Sequence, residues 1–193
     1  MEGSSVINIP NFVRYQETIG YLAKQLEFPE KLTLHPKTFK DVVGEDNLAY
    51  PDLVKFREEV HQLTLLEFKQ LYSDTFDFNK KAPLYMTYNK FDTQKERGQM
   101  LAKLKVLYEM FGLQMEANEL SDYLPLMLEF LYLASWNEDE RALGNIEFVI
   151  MVIEDGSYAM LQQLRSEDNP YQYVVQALRE VLKSCLQPTT EVV

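Results

Sequence analysis

"TQKERGQMLAKLKVLYEMFG", residues 93–112, reads as one complete helix with both ends marked. Thr93 can accept a hydrogen bond from the backbone of Glu96 while Glu96 reaches back, the reciprocal pattern of a capping box. Met100, Leu104, Leu107 and Phe111 then recur at steps of three and four, which sets them on one inward face. Gly112 follows and supplies a left-handed stop.

Similar signals run outward in both directions. From Asn11 to Leu26 the residues Phe12, Tyr15, Ile19, Leu22, Ala23 and Leu26 form one apolar stripe, ended by Phe28-Pro29. A short helix is expected over Thr38–Val43, and a longer one from Pro51 to about Ser73 with Leu53, Phe56, Val60 and Leu63 buried. Downstream, a helix should start around Ser121 or Asp122, because Pro125 is tolerated only within a first turn; Leu128, Leu131 and Ala134 continue it. "NEDER", residues 137–141, reads as a solvated turn. Residues 137–165 form a helical region, as one helix or two, burying Ile146, Val149, Ile150, Ile153, Met160 and Leu164, with a bend or break at Gly156. Asn169 caps and Pro170 opens a last helix that packs Tyr173, Val174, Ala177, Leu178 and Val181 inward.

No stretch alternates with the period of a strand, there is no internal repeat, and no Ser- or Pro-rich linker divides the chain. Only 7 glycines in 193 residues also argue against a turn-rich sheet. The expected fold is all-α: one helical bundle over residues 1–193, frayed over about ten residues at the N-terminus and about seven, "QPTTEVV", at the C-terminus.

"TFDFNKKAPLYMTYNKF", residues 75–91, does not fit a helix. Pro83 and the Asn79-Lys80-Lys81 run interrupt it, yet it carries Phe76, Phe78, Leu84, Tyr85, Met86, Tyr88 and Phe91. Phe76 and Phe78 read as core. Tyr85 and Tyr88, with a polar tip on each ring, suit the wall of a groove.

A formal charge of −11 opposes binding to nucleic-acid phosphates or an anionic membrane and favours a basic partner. The N-terminus lacks the basic and apolar regions of a signal peptide, no tract is long and apolar enough to span a bilayer, and a single cysteine permits no intramolecular disulfide; the cytoplasm is the expected compartment. His35, His61 and Cys185 are too scattered for a zinc site, and the glycines form no phosphate loop. Neither catalysis nor a bound cofactor or metal is expected.

Three acids bracket the helix start near residue 122. Asp122 suits an N-cap, Glu119 suits the positive end of the helix dipole, and Glu129 suits either a solvated face or the edge of a groove. Arg97 lies in a first helical turn, where the dipole disfavours a cation, so an ion pair with an acid such as Asp77 or Asp92 is expected. Gly98 costs about 1 kcal/mol in a helix interior, which suggests close packing against a backbone or a ring such as that of Tyr85 or Tyr88.

The ordered segments "YSDTFDFNKKAPLYMTYNKF", "KERGQMLAKLKVLYEMFGLQM" and "NELSDYLPLMLEF" resemble the nitrate reductase molybdenum-cofactor assembly chaperones, the NarJ or delta-subunit family within the wider redox-enzyme chaperones. The resemblance is dense over residues 72–134 and returns in "NPYQYVVQALREVL", about two thirds of the chain in all. Ser121 stands where that family usually has proline. The resemblance implies an all-helical, non-catalytic cytosolic chaperone. Its client would be the N-terminal segment of the apo catalytic (alpha) subunit of a membrane-bound respiratory nitrate reductase, held while the molybdenum cofactor is inserted and before membrane docking. Molybdenum-cofactor biosynthesis proteins are candidate further partners. The motifs carry over best to Asp122, Tyr123, Pro125, Glu129 and Phe130.

Together these readings define an apolar floor of Tyr85, Tyr88, Tyr123, Leu126 and Phe130 beside Pro125, with an acidic rim of Glu119, Asp122 and Glu129 for a basic amphipathic segment. Asp77, Arg97 and Gly98 support it. Two alternatives are a proofreading chaperone for the twin-arginine leader of another molybdoenzyme, and an acidic helical adaptor with no folding client.

Overall fold

Residues 6–30, 36–115, 118–133 and 140–187 are described in a computed structural model of the chain. Their elements are β1 (Val6–Ile7), α1 (Ile9–Leu26), α2 (Pro36–Val42), α3 (Tyr50–Val60), α4 (Leu65–Tyr72), a π-helical turn (Ser73–Asp77), α5 (Gln94–Met110), α6 (Leu124–Leu133), α7 (Glu140–Ser166), α8 (Tyr171–Ser184) and β2 (Leu186–Gln187). The architecture is a helical bundle, as the periodicity requires. Ala134, Asn137, Glu138, Asp139 and the tail beyond Gln187 lie outside the described residues, and with them most of the "NEDER" turn.

The last helix is the axis of the core. Val174, Val175, Ala177, Leu178, Val181 and Leu182 are fully buried, and α8 packs against α1, α3 and α7. Asn169 Oδ1 accepts the Tyr171 N–H at 3.0 Å, the cap expected of that residue. At the start of α8 the Tyr171 ring lies 4.8 Å from Phe76 and 5.3 Å from Phe56, with Phe68 and Tyr72 completing the cluster. Large rings buried together contribute through their area and through edge-on contacts.

Within the segments expected to fray, the described residues Val6–Ile7 and Gln187 are paired. Val6 and Ile7 pair antiparallel with Gln187 and Leu186, and the Asn8 N–H donates to the Cys185 carbonyl at 2.8 Å. The Asn8 side chain also caps α1 by accepting the Asn11 N–H, so the helix starts two residues earlier than its apolar stripe suggests.

The helix expected from Pro51 to Ser73 is two helices. Thr64 starts α4 with a complete capping box to Glu67, so the backbone leaves the helical path between Val60 and Leu65. The following π turn carries Phe76 into the core but leaves Phe78 77% exposed, against the expectation that both are buried. Two consecutive aromatic positions separated by one residue cannot share one helical face.

α7 runs unbroken through Gly156. Of the expected bend or break, the break does not occur, and the glycine serves contact: a Cβ there would collide with the Met86 carbonyl oxygen. The segment around Met86 therefore lies directly against α7. In α5 the outcome is different. Gly112 has φ +78° and ends the helix as expected, whereas nothing packs within 4 Å of a Cβ at Gly98. Gly98 is not explained by close packing.

Candidate functional site

The non-helical stretch around Leu84–Tyr88 acts as a short strand beside the start of α6. The Met86 N–H donates to the Asp122 carbonyl at 2.9 Å and the Leu124 N–H to the Leu84 carbonyl at 2.8 Å, with Tyr85 and Tyr123 directly opposed. Their rings lie 5.5 Å apart. Pro83, which excludes a helix, and Pro125, in the first turn of α6, frame this pairing.

Asp122 is the buried fastener of the arrangement. Its Oδ2 accepts the Thr87 N–H at 3.0 Å, the Thr87 hydroxyl at 2.5 Å and the Arg97 guanidinium at 3.4 Å, and its side chain is 0% exposed. Arg97 also donates to Thr87 Oγ1 at 3.3 Å and lies over the Tyr88 ring. Asp122 therefore neither caps α6 nor stands on an open rim: Oδ2 is committed to Thr87 and Arg97, and Oδ1 has no hydrogen-bond partner among the described residues. Arg97 has its ion pair, but with Asp122 rather than Asp77 or Asp92. Two more bonds lock α5 to the same segment, Tyr108 Oη–H to the Ser121 carbonyl at 2.8 Å and Ser121 Oγ–H to the Leu101 carbonyl at 2.7 Å. Serine at 121 thus fixes the helix entry through its hydroxyl.

Beside this fastener lies a groove of about 420 Å³, lined by Glu27, Leu113, Gln114, Glu119, Tyr123, Pro125, Leu126, Glu129 and Leu133. Leu113, Pro125, Leu126 and Leu133 give an apolar floor. Glu27, at the end of α1, Glu119 and Glu129 give it three carboxylates. Its volume accommodates a few anchoring side chains rather than a whole helix.

The tyrosines behind the groove are held by hydroxyl bonds. Tyr72 donates to the Leu26 carbonyl at 3.0 Å, so at the 3.4 Å contact between Tyr72 and Tyr123 it is Tyr123 that donates. Burial, together with the Glu119, Glu27 and Asp77 charges, raises the Tyr123 hydroxyl above the usual range. The Tyr85 hydroxyl is pushed up to about 12, first by burial and then by the Glu119 carboxylate near it. Both phenols stay protonated and neutral near pH 7.

Glu119, Tyr123, Pro125, Leu126 and Glu129 thus come together as one surface. Tyr85 stands behind it, its ring against Tyr123. Asp77 lies close enough to bear on the Tyr72 and Tyr123 hydroxyls. Tyr88, Arg97 and Gly98 are not among the lining residues, and Phe130, expected on the floor, is fully buried between Tyr108 at 4.9 Å and Phe111 at 5.4 Å. Sequence reasoning missed Glu27, Leu113, Gln114 and Leu133. The signal for Glu27 is its position just before Phe28-Pro29, where α1 must end and leave a carboxylate at its tip. Among the described residues no group of three or more His, Cys, Asp or Glu side chains could hold a metal ion, and no helix is long and apolar enough to cross a membrane.

The sequence matches the nitrate reductase delta subunit family over residues 41–171. It is 36% identical over 113 residues to a protein of Bacillus subtilis (strain 168) named as a probable nitrate reductase molybdenum cofactor assembly chaperone NarJ, covering 58% of each chain. In Escherichia coli (strain K12), the probable chaperone NarW is 25% identical over 170 residues, 88% of this chain and 68% of that protein. The chaperone NarJ of the same strain is 29% identical over 150 residues, 75% of this chain and 62% of that protein. The chain spans about three fifths of the length of these relatives.

Proposed function

The chain belongs to the nitrate reductase delta subunit family, and from that premise we propose that it is a non-catalytic cytoplasmic chaperone for the catalytic subunit of a respiratory nitrate reductase. It holds the N-terminal segment of that subunit in its apo form, assists molybdenum-cofactor insertion, and delays docking on the membrane partner until insertion is complete. The cofactor in this reading is the client's, and molybdenum-cofactor biosynthesis proteins are transient partners.

The observation that carries the reading is the groove with three carboxylates around an apolar floor. An amphipathic segment would place its apolar side chains on Leu113, Pro125, Leu126 and Leu133 and its cations toward Glu27, Glu119 and Glu129. Floor contacts supply affinity through buried area. The carboxylates, backed by a net charge of −11, supply orientation and faster encounter, both weakened by salt. Tyr123 bridges the two, presenting ring surface while its hydroxyl is tied inward to Tyr72. Asp122, Arg97 and Phe130 support the groove from beneath, and Tyr85 backs the Tyr123 ring.

Co-purification provides the test of the chaperone role. The tagged chain should retain the immature catalytic subunit from cells unable to make molybdenum cofactor and release it once cofactor is supplied. Retention that is equal in both conditions would contradict a role in cofactor insertion and favour an adaptor.

A further inference from the structure

One cation at the groove is supplied by the chain itself. Lys24 Nζ donates to Glu27 Oε1 at 2.7 Å, one turn before α1 ends. The Lys24 ammonium is held above its ordinary range first by that hydrogen bond, with the Glu27 and Glu129 charges adding to it. Glu27 and Glu129 both line the groove, from different helices. A single lysine side chain, more than half exposed, therefore sits within electrostatic reach of two of the three groove carboxylates.

Resting on the groove-binding reading, we propose that Lys24 is an internal competitor that tempers client affinity: its ammonium occupies the Glu27 position that a client cation takes on binding. The pair is well suited to exchange. Both partners are partly exposed, and an exposed ion pair contributes little, so an incoming guanidinium or ammonium can displace Lys24 at little cost. A bidentate guanidinium gains more from a carboxylate than a lysine point charge does, so the exchange favours an arginine-bearing segment. A segment lacking a cation at that place leaves the internal pair intact and gains only the apolar floor. Lys24 thereby lowers the groove's affinity for basic segments and leaves its affinity for neutral ones unchanged.

The test is a double-substitution cycle read by titration of a synthetic peptide of about fifteen residues from the N-terminus of the nitrate reductase catalytic subunit of the same organism. Lys24→Gln should tighten binding roughly threefold at low salt, and Lys24→Arg should not. In a Glu27→Gln background the gain from Lys24→Gln should vanish, because the position being contested is gone. A gain that persists in that background would overturn the proposal in favour of general charge repulsion, and the absence of any gain with Lys24→Gln would overturn it outright. Those results leave the groove reading standing if Glu129→Lys still weakens the peptide. No binding to the unsubstituted chain would remove both.

Discussion

The aromatic cluster around Tyr171 and the aromatic pair at Tyr85 and Tyr123 use the same residue types under different constraints. Tyr171 is wholly buried among Phe56, Phe68, Tyr72 and Phe76, and its hydroxyl has no hydrogen-bond partner among the described residues. Tyr123 is half-buried, its ring rests on Tyr85, and its hydroxyl donates to Tyr72, which belongs to both regions. The first region is held by buried area and survives an unpaired phenol. The second is held by directed polar bonds beneath a partly open surface. Damage to the first should appear as lost stability, and damage to the second as lost binding in a protein that still folds.

The largest effect should come from the first region. Phe56→Ala or Tyr171→Ala is expected to cost about 3–5 kcal/mol in urea unfolding, with peptide affinity of the folded fraction unchanged. Asp122→Ala comes next, at about 3 kcal/mol, because it leaves the Arg97 charge and the Thr87 N–H without their buried acceptor. Arg97 is partly exposed, which holds the cost to the low end of the range for a broken buried pair. Unlike the core substitutions, Asp122→Ala should also weaken peptide binding, since it loosens the Tyr85–Tyr123 pairing. Equal loss of binding in both variants at matched folded fraction would erase the distinction between the regions.

Gly156→Ala sharpens the comparison from the far side of the strand-like segment. A methyl group against the Met86 carbonyl must push that segment away from α7, at about 1–3 kcal/mol, with a change in peptide affinity although Gly156 lines no part of the groove. The smallest effects separate the two phenols. Tyr171→Phe should be neutral or slightly stabilising because its hydroxyl is buried unpaired, whereas Tyr123→Phe should cost about 0.5–1.5 kcal/mol by thermal unfolding.

Much of the bundle was legible because its signals are local. The Thr93 cap accepts the Glu96 N–H at 3.2 Å, although Glu96 reaches back to the Thr93 hydroxyl rather than its backbone N–H, so the expected box is half formed; Gly112 takes its positive φ, and the apolar stripes of α1, α7 and α8 face inward as spaced. The same kind of cap at Thr64 and Glu67 escaped notice because Leu63, Leu65 and Leu66 continue the apolar run across it. The groove was legible in its α6 half, where Tyr123, Pro125, Leu126 and Glu129 lie in one motif. Its other side includes Glu27, far away in sequence and joined to it by the packing of α1 on α6. Asp122 and Phe130 belong to the same motif but are fully buried: Asp122, ahead of α6, is held by Thr87 and Arg97, and Phe130 is packed between Tyr108 and Phe111. Motif membership identified the neighbourhood; burial decided which side chains a client can touch.

The central claim is that the groove receives a basic N-terminal client segment through an apolar floor and an acidic rim. Isothermal titration of the client's N-terminal peptide, at low salt and at roughly tenfold higher salt, into the native chain and a Glu119→Lys, Glu129→Lys variant tests it most directly. The account predicts binding that weakens with salt, falls at least about tenfold in the variant at low salt, and retains a negative heat-capacity change from the floor. Equal affinity of the two proteins at low salt, with both folded, would contradict it.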